Sequence, residues 1–67
     1  MKTGNLVIAH DDYIPVRFKE EDDALFCHEG DCFIVIGRKN EEYYRVLSRH
    51  GVGLVRIWTL KENTHDA

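Results

Sequence analysis

Cys27, His28, Cys32 and His50 are the side chains best suited to holding a metal ion, and His10 beside Asp11 and Asp12 is the nearest approach to an acid–base pair. A structural zinc site is usually announced by paired C-x-x-C knuckles, which bring thiolates into one tetrahedron. The spacing here is different, and strand alternation would point Cys27 and Cys32 to opposite faces. Cys32 near His28 could supply a nucleophile and a base. Neither this combination nor His10 with its aspartates comes with a Gly-rich phosphate cradle or a third orienting group. A non-enzymatic chain with no catalytic residues, no metal and no cofactor is therefore expected.

The remaining chemistry is that of recognition. Tyr13, Tyr43, Tyr44 and Trp58 supply aromatic surface, and Arg38, Arg45, Arg49 and Arg56 all fall in the second half. The first half carries Asp11, Asp12, Glu20, Glu21, Asp22 and Asp23, so the molecule is expected to be polarised. A net charge of -3 gives no electrostatic reason for a polyanionic partner over the whole surface, and nucleic acid is disfavoured as a partner. Two cysteines without a hydrophobic leader after Met1-Lys2 point to a reducing compartment, and a cytoplasmic location is expected. No apolar run reaches the roughly 20 residues of a membrane span. No membrane partner is expected.

The elements that must position these residues can be read from alternation. With 67 residues there is room for one domain, residues 1–67, expected to fold from about 5 to 62 and to fray over 63–67. Asn5 to Ala9 is a short branched run of strand type, with Val7 and Ala9 on one face and Leu6 and Ile8 on the other. From His10 to Asp23 the charges and Pro15, which cannot sit in a central strand, read as a long irregular loop. Ala24 to His28 and Asp31 to Gly37 form two strands around Glu29-Gly30-Asp31, which puts Leu25, Cys27, Phe33 and Val35 on one sheet face. Phe26, Ile34 and Ile36 then face outward. That leaves an apolar outer face for the long loop or a partner to cover, a second copy included, so the chain is expected to be a monomer or a weak homodimer. Tyr43 to His50 fits either a helix capped by Asn40 and Gly51 or a strand with Tyr44 and Val46 on one face. Val52 to Trp58 is a further strand.

The order of these pieces resembles an SH3 domain from about Val7 to Glu62. Ala9-His10-Asp11-Asp12-Tyr13 stands where that family has its ALYDY strand, and EDDALFCHEGDCFIVI is similar to its acidic loop end, diverging turn and following strand. Tyr43-Tyr44 occupy the place of the paired tryptophans, and Gly53 to Leu60 is similar to the closing strand, short helical turn and last strand. The resemblance implies an all-β fold, a small five-stranded SH3-like barrel with a long loop after the first strand and a short helical turn before the last. It also implies that Tyr43 to His50 is strand and that the core is Val7, Ala9, Leu25, Cys27, Phe33, Val35, Val46, Val55 and Leu60.

Ligand-binding SH3 domains seat proline ridges of a polyproline II helix on an aromatic shelf, with loop acids pairing to a ligand cation. Tyr13 and Tyr43 match shelf positions, but Asp11 replaces the first shelf tyrosine, Arg56 the proline and Thr59 the last tyrosine. The resemblance therefore implies a protein-interaction module that docks a protein or peptide partner through Tyr13, Glu21, Asp22, Asp23, Tyr43, Arg56 and Trp58, and not by ordinary PxxP recognition. Trp58 could instead be a half-buried lid over the barrel end. The alternative is a Tudor- or KOW-type barrel that binds nucleic acid or a modified residue, stacking on Tyr43 and Tyr44.

Overall fold

The computed structural model describes residues 2–18 and 24–67. It contains seven strands and one short helix: β1 (Leu6–Ala9), β2 (Ile14–Arg17), β3 (Ala24–Cys27), β4 (Cys32–Arg38), β5 (Tyr43–Ser48), β6 (Gly51–Arg56), α1 (Ile57–Asn63) and β7 (Thr64–Asp66). The strands form a single antiparallel sheet in the order β3-β2-β6-β5-β4-β1-β7, curled into a half-barrel. The fold is all-β, as expected, but it has seven strands rather than five, and β3 and β7 remain as edges.

Two departures from the expectation, the extra strand β2 and the position of the last strand after the helix, have clear physical origins. β2 lies inside the stretch read as irregular loop and contains Pro15. It pairs with β3 from Ile14↔Cys27 to Arg17↔Ala24 but meets β6 only at Arg17↔Leu54. At Pro15 the strand thus has a neighbour on one side, the edge-like setting that tolerates a missing N–H donor. Its burial alternates, with Ile14 and Val16 sealed inside, so apolar burial outweighs the surrounding charge.

β7 comprises residues expected to fray. It pairs with β1 at Val7↔Asp66, Ile8↔His65 and Ala9↔Thr64. Thr64 is buried, and its hydroxyl donates to the Leu60 carbonyl. His10 adds a side-chain tie by donating from Nε2 to the Glu62 carbonyl at 2.9 Å, which leaves its Nδ1 to accept from the Nδ1 of His65 at 3.1 Å. The rings are nearly parallel with centroids 5.4 Å apart. That separation is about the Nδ1···Nδ1 distance plus a ring radius at each end, so the two imidazoles meet edge to edge, not face to face.

The core holds Val7, Ala9, Ile14, Val16, Cys27, Phe33, Val35, Tyr44, Val46, Val55, Ile57 and Leu60. Eight of the nine expected members are present. The exception is Leu25, which is 47 % exposed on the edge strand β3, whereas Cys27, two residues on and on the same face, is fully buried. Tyr43–Ser48 is strand, as the alternation of Tyr44, Val46 and Ser48 inward requires. A bulge between Val35 and Gly37 shifts its register against β4 and increases the local curl.

Gly53 marks the point where the half-barrel narrows. A Cβ there would lie 2.5 Å from Val16 Cγ1 and 3.0 Å from the Arg17 carbonyl oxygen, so β2 approaches β6 over a residue without a side chain. Gly53→Ala is expected to cost about 1–3 kcal/mol by overpacking, read as a lower urea midpoint. Amide exchange should accelerate first in β2, which has little else joining it to β6.

Candidate functional site

Tyr43 begins β5 directly opposite Arg56, the last residue of β6. The turn before it is fixed by Asn40, whose Oδ1 accepts from the backbone N–H of Glu42 at 2.8 Å and of Tyr43 at 2.9 Å. Lys39 N–H closes the turn by donating to the Tyr43 carbonyl at 2.9 Å. The ring is thus set by backbone hydrogen bonds and not by side-chain packing alone. Cross-strand pairing places the Arg56 guanidinium over it, 5.8 Å from the centroid, while a guanidinium nitrogen lies 3.6 Å from a Glu42 carboxylate oxygen.

The chain then enters α1 through extended backbone at Arg56, with no side-chain cap. Instead Ile57 N–H donates to the Glu42 carbonyl at 2.9 Å, joining the helix start to the β4–β5 connection. Ile57 and Leu60 turn into the core, and the opposite side of the helix presents Trp58 and Lys61, three residues apart and so neighbours on its surface. Trp58 is 74 % exposed. It is not the half-buried lid that was one reading of the sequence. A cavity of about 360 Å³ is lined by Glu41, Glu42, Arg56, Ile57, Trp58 and Lys61. Two carboxylates and two cations therefore surround an apolar floor, an arrangement suited to binding a mixed polar and apolar segment rather than a single charged group.

Of the residues proposed from sequence, Arg56 and Trp58 line this cavity, and Tyr43 adjoins it through its contact with Arg56. Tyr13 lies in a different cluster, 70 % exposed and with φ +62°, in edge contact with Phe26 at 6.2 Å and His28 at 5.5 Å between centroids. A left-handed tyrosine is unusual. The tight path from Asp12, which accepts from Glu29 N–H at 3.0 Å, into β2 holds it there. Glu21, Asp22 and Asp23 lie outside the described residues. Sequence reasoning missed Glu41, Glu42, Lys61 and Ile57. Glu42 becomes a site residue only through the Tyr43↔Arg56 register, which no local pattern announces. Lys61 could have been found as the i+3 neighbour of Trp58 once a helix was drawn.

The side chains weighed for metal or catalytic chemistry are dispersed. Among the described residues no group of three or more His, Cys, Asp or Glu converges on one point. His28 lies 3.8 Å from Asp12, and His50 Nε2 is 3.0 Å from the Phe26 carbonyl oxygen. Cys32 is exposed and Cys27 fully buried.

Burial, and secondly the Asp31 carboxylate, push the Cys27 thiol above its ordinary value of 9.0, with the Arg49 charge and backbone N–H countering in part. The folded state therefore holds this proton more tightly than the unfolded chain. The stability so contributed is complete below about pH 9 and is lost as pH rises through the folded value. Cys27→Ala should flatten the fall of the urea midpoint above pH 9.

Comparison with protein-family models, curated proteins and solved structures gives no match for this chain.

Proposed function

We propose that this chain is a non-catalytic protein-interaction module on an SH3-like half-barrel, docking a protein partner through Tyr43, Arg56 and Trp58. The observation that carries the reading is Trp58, a tryptophan 74 % exposed on the rim of a cavity with an apolar floor and charges of both signs. Leaving so large an apolar side chain in water forgoes folding energy, and such residues, once desolvated, are the usual anchors of protein interfaces. The order of strands, with a hairpin before the central three and a short helix before the last, supports the SH3-like description.

Ordinary proline-rich recognition fits poorly. The guanidinium of Arg56 covers one face of Tyr43, where a shelf would seat a proline ridge, and Tyr13 packs in a separate cluster. The nucleic-acid alternative is weaker for a related reason. Tyr44 is only 7 % exposed, with Arg38 6.0 Å from its ring centroid, so it offers no free face to a base.

Trp58 is the only tryptophan, so its emission reports on the site directly. Titration with a generic PxxP peptide should leave that emission and the Tyr43 amide unmoved, and micromolar binding there would refute the proposed mode. Heteronuclear NMR in cell extract should instead broaden Tyr43, Arg56 and Trp58 together. Broadening confined to other residues would remove this site from the function.

A further inference from the structure

Strand register places Leu6 opposite Ile34, Ile34 opposite Leu47, and Leu47 opposite Val52. These four side chains form an unbroken row over β1, β4, β5 and β6 on the outer face of the sheet. They are 45, 41, 42 and 52 % exposed, and Ile36 beside them is 39 % exposed. Together the five present on the order of 400 Å² of apolar surface, within the range of a typical monomer's largest and often functional patch. At about 4.8 Å between strands the row is roughly 14 Å long.

The charge beside this row is one-sided. The next row along β5 and β6 is Arg45 opposite Leu54, and Leu54 faces Arg17 on β2. Lys39 and Arg45 line a small cavity with Val52, Gly53 and Leu54. Among the described residues Arg49 is paired with Asp31 and Arg56 with Glu42, whereas Arg17, Lys39 and Arg45 have no carboxylate within ion-pair distance. An apolar row thus runs beside three cations that have no ion-pair partner among the described residues, on a chain whose net charge is -3.

We propose that this face is a second docking surface, and that it takes an amphipathic segment of a protein partner with apolar residues along one side and carboxylates along one flank. It goes beyond the Trp58 site, from which the row is separated along β5 and β6 by the Arg45–Leu54 pair. A second copy of the chain is a poorer occupant. Row against row, it would offer the cationic flank either the same three cations or the flank of Asp31, whose charge Arg49 already holds at 3.6 Å. An anionic membrane is also a poorer fit, since three basic side chains fall short of the roughly four to eight that mark lipid-headgroup clusters.

The probe is a synthetic amphipathic peptide of about ten residues, which as a helix spans roughly 15 Å, with leucines on one side and glutamates on one flank. Its counterpart carries lysines at the glutamate positions. In heteronuclear NMR the glutamate peptide should shift the amides of Leu6, Ile34, Leu47 and Val52 and bind at least tenfold more tightly than the lysine peptide. Leu47→Ser should weaken it at least tenfold, Arg45→Glu should reverse the preference, and Trp58→Ala should bind it unchanged, which separates this surface from the Trp58 site. Both substituted side chains, Leu47 and Arg45, are exposed, and a matching thermal melt confirms that each variant is folded. Equal binding of both peptides, absence of binding, or shifts confined to Tyr43, Arg56 and Trp58 would overturn the proposal. So would sedimentation as a dimer with the row protected, or co-sedimentation with phosphatidylserine vesicles that is abolished by Leu47→Ser.

Discussion

Replacing Phe33 with alanine is expected to leave most of the chain unfolded at room temperature. Phe33 is fully buried in β4 and is the largest side chain sealed inside the molecule, opposite Val7 of β1. Truncating a buried phenylalanine costs about 3–5 kcal/mol. At the usual stability per residue a chain of this length holds about 3–10 kcal/mol in all. A domain this small buries a smaller share of its surface and falls toward the lower end of that range, where the loss consumes all or most of the margin. Phe33→Leu, which keeps most of the volume, should remain folded with a lower urea midpoint. Far-UV circular dichroism of the two variants checks the expectation, and a native-like Phe33→Ala spectrum with an unshifted midpoint would contradict the packing described.

Trp58→Ala should do the opposite, sparing the fold and removing function. Its side chain stands largely in water on the outer side of α1, so the thermal melt should move by no more than surface substitutions do, about 0.5 kcal/mol. As the anchor of the cavity rim, however, it should be worth 2 kcal/mol or more in binding, about 30-fold in affinity. Competition between wild-type and Trp58→Ala chains for the partner recovered from extract by the wild type measures this. Equal retention of the two would remove Trp58 from the interface.

The inner half of the sheet was legible because its residues alternate without interruption. Phe33, Val35, Val46 and Val55 face inward as period two requires. Ile14 and Val16 were hidden by Pro15 and the charges around it, signals that usually mean loop, and their strand exists because β3 and the core supply what the local sequence does not. Leu25 illustrates the reverse failure. Alternation places it on the same face as Cys27, but it fixes only the face, and of the two only Cys27 lies over the core. The order of β7 was equally invisible, since Thr64, His65 and Asp66 are polar and owe their conformation to β1 and His10. For the site, residue types marked Tyr43, Arg56 and Trp58, while their convergence depends on the Tyr43↔Arg56 register. Tyr13 was drawn away by a backbone turn that residue type alone does not reveal.

The two borders of the sheet are chemically unequal. β7 ends in Thr-His-Asp, a short polar margin whose aspartate discourages another chain from adding itself there. β3 is Ala-Leu-Phe-Cys, with Leu25 and Phe26 each nearly half exposed and no charge among its four residues. Runaway stacking in concentrated or ageing samples would therefore start from β3, and a lysine at position 25 is the least invasive way to blunt that margin.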